Sequence, residues 1–331
     1  MLKKIGLSVL FLMVPVLTGC GTTSSAEDVT VFRFAYASNS QPVKDSMARF
    51  GEMVEEKSNG GMRVEYYPDS QLGGETDLIQ LTQTGAIDFT KVSGAALEGF
   101  SETYSIFGIP YLFDDEESFF KVMEDETITQ EIYESTSDLG FRGITYYDGG
   151  QRSFYMAGGP VESPDDLVGK RIRTMESETA VRMMSLLGGS AVPMGSDEVY
   201  ASLQSGLIDG SENNEFVLVT AGHGNVANYY SYDQHTRIPD IIIMNDEKMD
   251  SLTQEEQDII LESAKESTEY QKEVFNEAIE NEKQEAQAQY NVEFNEVDNE
   301  PFRELVKPIA EDFANDENFS ELYQAIIDAQ Q

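Results

Sequence analysis

The chain has 331 residues, 40% of them hydrophobic, and carries 61 Asp and Glu against 22 Lys and Arg, a formal net charge of −39. That balance excludes unaided binding of nucleic acid, whose phosphates must be met by Lys and Arg. The length fits two domains or one large one, and the apolar content is too high for disorder.

Lys3 and Lys4 precede an apolar run from Ile5 to Leu17. The run is shorter than the ~20 residues of a membrane-spanning helix and has the form of a signal-peptide core. It ends in Leu17-Thr18-Gly19-Cys20, the form of a bacterial lipoprotein cleavage box. Residues 1–19 are then expected to be a signal peptide, and Cys20, the only cysteine, the lipidated first residue of the mature chain. An ordinary cleaved signal with an incidental cysteine is the alternative. Two or more acyl chains suffice for stable anchoring. Residues 20–28 are otherwise small and polar and read as a flexible tether.

Residues 29–36 alternate as a strand. A helix is expected over 43–57, with Met47, Phe50 and Val54 on one face, stopped by Asn59-Gly60-Gly61. A second strand follows over 62–67 and ends at Pro68. Gly73-Gly74-Glu75 opens a helix carrying Leu78, Ile79 and Leu81, and Gly85-Ala86-Ile87-Asp88-Phe89 turns into a third strand. This alternation predicts an open parallel sheet. Ligands of such sheets sit beyond the carboxyl ends of the strands, where residues 36–41, Glu75 and Ser93 would lie.

A strand over 143–147 and the turn Asp148-Gly149-Gly150 lead to a second α/β unit near Arg152. It contains a short strand, Lys170-Arg171-Ile172-Arg173, a helix through Val181 and Met184, and a strand and turn from Val192. A short helix over 198–207 follows, then a strand and turn at Ile208-Asp209-Gly210. The apolar stretch 238–244 reads as a buried strand returning to the first unit. Thr253-Gln254-Glu255-Glu256 fits a capping box, and the pattern is helical from there to about Tyr290. The apolar positions keep no strict heptad, so a helix lying along two domains fits better than a coiled coil. The two units take residues 29–149 with 239–278, and 150–238 with 279–331.

Enzyme chemistry finds little support. His223 and His235 stand in no metal-ligand spacing. No Gly-x-Ser-x-Gly elbow, Walker sequence or Gly-x-Gly-x-x-Gly loop is present, and no cofactor is expected. Among 61 acids, any carboxylate pair is uninformative. The arginines say more, because an acidic protein that holds an anion needs local positive charge. Arg152 and Arg173 each offer a planar fork that grips a carboxylate by two parallel hydrogen bonds. Pairing with one of the many surface acids accounts for either residue equally well. Asn213 and Asn214 offer amides to a polar ligand, and turn chemistry explains them as readily.

Five phrases occur in order: Gln71-Leu72-Gly73-Gly74-Glu75, Gly85-Ala86-Ile87-Asp88-Phe89, Ile109-Pro110-Tyr111-Leu112-Phe113, Ser163-Pro164-Asp165-Asp166-Leu167 with Gly169-Lys170-Arg171-Ile172-Arg173, and the stretch 198–214. Together they resemble the DctP family, the solute-binding subunits of tripartite ATP-independent (TRAP) transporters. The resemblance implies a two-domain α/β clamp of the periplasmic-binding-protein type with a long helix across both domains. It implies no enzymatic activity, and delivery of the solute to a sodium-driven permease of small and large membrane subunits. Arg173 matches the family's main carboxylate clamp. Arg152 matches a second ligand-facing arginine, spaced slightly more widely than in sialate binders, and Asn213 matches an amide on the same carboxylate. Glu75 and Ser93 stand where the first domain reaches ligand hydroxyls. Ser93 replaces an acid of the sialate binders, and Ser196 stands where many members carry an aromatic ring. The stretches 146–155 and 209–214 resemble uronate-binding members, which favours glucuronate or galacturonate. A C4-dicarboxylate, a keto-acid or an aldonate is the alternative, with a secreted carbohydrate-active enzyme behind it. A dicarboxylate would want a second cation in the first unit, whose binding loops offer only Lys44 and Lys91, both expected to face solvent.

Overall fold

A computed structural model describes residues 29–37 and 40–331; the expected signal peptide, tether and Cys20 lie outside the described residues. Eleven strands are distributed over two sheets. The first contains β1 (Thr30–Tyr36), β2 (Met62–Tyr67), β3 (Phe89–Ser93), β4 (Phe141–Tyr147) and β10 (Asp240–Asn245), in the order β2-β1-β3-β10-β4. The second contains β5 (Gln151–Met156), β6 (Arg171–Thr174), β7 (Ser190–Pro193), β8 (Gly210–Asn213), β9 (Tyr229–Arg237) and β11 (Glu293–Glu296), in the order β11-β9-β5-β8-β6-β7.

The first sheet departs from the all-parallel expectation. β1 is parallel to β2 and β3, but β10 is antiparallel to both β3 and β4. The reason is topological: β10 is not the product of a strand–helix–strand crossover but the chain's return from the second sheet. The expected strand at Ile208-Asp209-Gly210 also shifts. It begins at Gly210 and carries Asn213 as its last residue, because Asp209 is engaged by Arg171 before the ladder starts.

The chain passes between the sheets at residues 148–150 and 238–239, and the two crossings touch. A Cβ on Gly149 would stand 2.4 Å from the Ile238 carbonyl oxygen, so only glycine fits there. Gly150 turns with φ +73°, again a glycine conformation. The third link is the helix Gln254–Tyr290, 37 residues long and therefore roughly 55 Å. Its start is fixed by the capping box, with Thr253 N–H donating to Glu256 (2.8 Å) and Glu256 N–H to Thr253 Oγ1 (3.3 Å). It ends at Asn291 in the left-handed region, φ 54°. Its buried face meets β4 through Thr268–Thr145 (2.7 Å) and Ser267–Tyr147 (2.9 Å). Gln271 both accepts from the Asp148 N–H (3.1 Å) and donates to the Asp148 carbonyl (3.0 Å), tying the rod to the first crossing. Phe275 then packs on Phe216 of the second unit, with ring centroids 5.0 Å apart. Two later helices complete the chain. Glu300–Asn315 packs on the helix Glu178–Leu186, and Ser320–Ala329 on the helices Glu116–Glu124 and Glu126–Glu134, so the C-terminal segment touches both units.

Candidate functional site

Between the sheets lies a cavity of about 380 Å³, within the range of small-molecule sites (roughly 300–1,000 Å³). All six residues expected at a site line it: Arg152, Arg173, Asn213 and Asn214 on the second unit, Glu75 and Ser93 on the first.

Arg173 is the third residue of β6, and its guanidinium is buried, at 4% exposure. Nε and Nη2 both donate to the Met194 carbonyl, at 3.0 and 2.9 Å. Among the described residues no carboxylate pairs with it and Nη1 has no hydrogen-bond acceptor, and the residue lines the cavity. Burial lowers its pKa, the mark of a cation separated from water without full compensation.

Arg152, the second residue of β5, is in the opposite condition. It grips Glu212 at both ends, Nε–Oε2 2.6 Å and Nη2–Oε1 3.0 Å, and its Nη1 donates to Asn213 Oδ1 at 2.9 Å. Behind Glu212 stands His235 (3.4 Å), and behind His235 stands Asp233 (2.8 Å), all buried. Burial opposes the Glu212 charge, but Arg152 and His235 outweigh it and hold the carboxyl at about 2. Burial likewise opposes the His235 charge, but Asp233 and Glu212 outweigh it and push the imidazole up to about 9. The four form a row of alternating sign, so Arg152 is a neutralised cation.

Asn213 holds its Oδ1 on Arg152 and on the Asn214 N–H (2.9 Å), and its Nδ2 has no acceptor among the described residues. Asn214 is committed at both ends. Its Nδ2 donates to the Gly149 carbonyl (2.6 Å) and its Oδ1 accepts from the Phe216 N–H (3.1 Å), so it ties the first crossing to the cavity wall.

On the first unit, Glu75 opens the helix Glu75–Gln83 and accepts the Ser93 N–H at 2.9 Å. Burial raises its pKa, as does Asp240, against the pull of Lys91, the Ser93 N–H and Arg173. Ser93 Oγ accepts from the Ala95 N–H (3.3 Å), capping the next helical turn, and lies 3.5 Å from Met175 Sδ across the cavity floor. Lys44 is at the surface as expected, paired with Asp69 at 2.9 Å. Lys91 is not. It is 3% exposed, lines the cavity and is ion-paired with Asp240. The expectation failed because β3 lies between β1 and β10 and is buried along its whole length, so neither of its faces meets solvent.

Sequence reasoning also passed over Tyr155 and His223, whose side chains join at 2.7 Å (Oη to Nδ1) in the cavity wall. Burial, helped by the nearby Arg173 charge, pushes His223 down to about 4, so it is neutral at pH 7. Glu212, His235 and Asp240 were missed as well. Their partners lie 60, 23 and 149 residues away along the chain, and no local pattern announces such pairs. With Arg152 cancelled by Glu212, Lys91 by Asp240, and Arg237 by Asp148, Arg173 is the cation without an ion pair among the described residues that line the cavity, and Glu75, like Asp197, is a carboxyl there without one.

Residues 34–317 match the family model of DctP, the bacterial extracellular solute-binding proteins of family 7. The chain is 47% identical over 297 residues to an uncharacterised protein, YiiZ, of Salmonella typhimurium, covering 90% of this chain and 91% of that one. It is similar to a TRAP periplasmic solute-binding protein from Anaerococcus prevotii solved with bound α/β-D-glucuronate. There the TM-score is 0.88 and the identity 41%, covering 91% of this chain and 98% of that one. It is also similar to one from Xanthobacter autotrophicus with bound β-D-galacturonate, with a TM-score of 0.85 and 31% identity, covering 89% and 98%.

Proposed function

The chain belongs to the DctP family of bacterial extracellular solute-binding proteins, and from that premise we propose that it captures a hexuronate, glucuronate or galacturonate, by its carboxylate. The family binds solutes for transport and performs no catalysis. The observation that carries the reading is the buried Arg173, which lines the cavity with no ion-pair partner among the described residues in a chain of net charge −39. Its Nη1 and the Asn213 amide converge on the carboxylate, and the Arg152–Glu212 pair keeps Asn213 oriented to donate. Glu75 and Ser93 receive the ring hydroxyls from the first unit, and Asn214 positions the wall. The glucuronate and galacturonate bound by the two solved relatives support this ligand class.

The two units close over the solute about the crossings at 148–150 and 238–239, and the closed form is delivered to a sodium-coupled permease of small and large subunits. Cys20 carries the lipid that holds the protein at the outer face of the membrane. Among the described residues no helix is long and apolar enough to cross a membrane.

The test is a thermal-shift and calorimetric comparison of D-glucuronate and D-galacturonate with the neutral sugars glucose and galactose. A uronate at a hundredfold excess over Kd stabilises the fold by about 2.7 kcal/mol, and the neutral sugars leave the melting temperature unchanged. No response to either uronate sinks the reading.

A further inference from the structure

We infer that Asp240 and Glu75 form an anion barrier on the first-unit wall, which restricts the site to acids with a single carboxylate. The inference rests on the uronate reading above and deepens it. It starts from a cation that does not do what its position suggests. Lys91 projects from the central strand β3 into the cavity, opposite the second unit's arginines, where the far carboxylate of a dicarboxylic acid would need a partner. The sheet register cancels it. Ser93 is paired in register with Asp240, the first residue of β10, so the Asp240 carboxylate stands beside the Lys91 ammonium and the two close as an ion pair. Glu75 is fastened to the same corner through the Ser93 N–H at 2.9 Å. One ammonium thus faces two carboxyls, and the wall as a whole offers acceptors and no net positive charge. Burial raises the Glu75 pKa, and Asp240 adds to it against the pull of Lys91.

The chemical consequence follows for a six-carbon acid held by Arg173. A uronate presents hydroxyl donors to Glu75 and Asp240. The corresponding aldarate, with the same carbon chain and a second carboxylate at its other end, presents a like charge. Two unit charges about 4 Å apart at an effective dielectric constant near 20 set the discrimination at roughly 1,000-fold in affinity.

The experiment is calorimetry of each uronate and its aldarate, glucuronate with glucarate and galacturonate with galactarate, on the wild-type chain and on Asp240→Asn, Glu75→Gln and Asp240→Asn/Lys91→Met. The wild type is expected to favour the uronate. Asp240→Asn frees the Lys91 charge and should narrow the uronate-to-aldarate ratio by roughly tenfold or more, through tighter aldarate binding. Adding Lys91→Met should abolish that gain. Glu75→Gln, which leaves the Lys91–Asp240 pair intact, should narrow the ratio too, and it carries the test if Asp240→Asn lowers the melting temperature too far to be measured. A wild type that binds each aldarate as tightly as its uronate overturns the barrier. So do folded variants that leave the ratio unchanged or weaken both acids alike. A wild type that binds neither acid overturns the uronate reading and the barrier with it, whereas failure of the ratio alone overturns only the barrier.

Discussion

Arg171 and Arg173 stand two residues apart on one strand. The first is 45% exposed at its side chain and closed on Asp209 at 2.8 Å, while the second is buried and has no carboxylate partner among the described residues. Truncating one member of a buried charge pair costs about 2–5 kcal/mol. Arg173→Ala should therefore weaken uronate binding on the order of 30- to several-thousand-fold. Arg173→Lys keeps the charge without the fork and should recover only part of the loss. Arg171→Ala removes a surface pair worth at most about 1 kcal/mol and should leave the affinity unchanged. Titration calorimetry on the three variants checks the order; a larger loss at Arg171 would mean the strand is read in the wrong register.

The buried row behind Arg152 gives stability a pH profile. His235 is raised to about 9 in the folded chain, so its contribution is complete below its unfolded value near 6.5 and disappears as pH rises through 9. Glu212 is lowered to about 2, so its contribution is complete above about 4.5 and disappears as pH falls toward 2. Glu282, pushed up to about 7 by burial and by Glu285, gives up its own contribution earlier, as pH rises from about 4.5 through 7. The melting temperature of the wild type should therefore fall between pH 7 and 9. The difference between wild type and His235→Gln should isolate the His235 part, on the order of 3 kcal/mol, and should vanish by about pH 10. A difference independent of pH would mean that His235 is not charged in the fold.

Gly149→Ala places a methyl against the Ile238 carbonyl, where 2.4 Å is available. Overpacking of this kind costs about 1–3 kcal/mol, and here it should also push the two crossings apart. Solution scattering on the wild type should show a smaller radius of gyration with uronate than without it. The variant should melt lower and show a smaller ligand-induced change. Full compaction in the variant would remove the crossings from the closing motion.

Expressed with its first 28 residues, the chain should partition with membranes, and Cys20→Ala should release it. Recovery of the wild type wholly as a soluble, unlipidated species would contradict the anchor.

Much of the frame was legible beforehand because it depends on neighbours in the chain. Thr253 and Glu256 announce the long helix three residues apart, and Met47, Phe50 and Val54 announce a buried face. The six residues expected at a site all line the cavity, and all but Ser93 were picked out because they lie inside stretches that resemble the family. What stayed hidden depends on partners far along the chain. Alternation along β3 places Lys91 on a face but says nothing of whether that face meets water or a cavity. The direction of β10 follows from the return path and not from its own residues. β9, with Ser231, Asp233 and His235 buried among its tyrosines, carries the polar pattern of a surface strand because its polar groups are satisfied inside the protein.

Two strand crossings laid side by side would by themselves let the halves both fold together and twist. The helix Gln254–Tyr290 adds a stiff third tie, fixed to the first unit through Gln271 and resting on the second through Phe275. A rod held at two places along its length resists torsion, so the closure proposed above would be left a single degree of freedom. The distance between any two surface points on opposite halves then becomes a function of one coordinate. The proposed permease, touching both halves, would then sense an occupied cavity without contacting the solute.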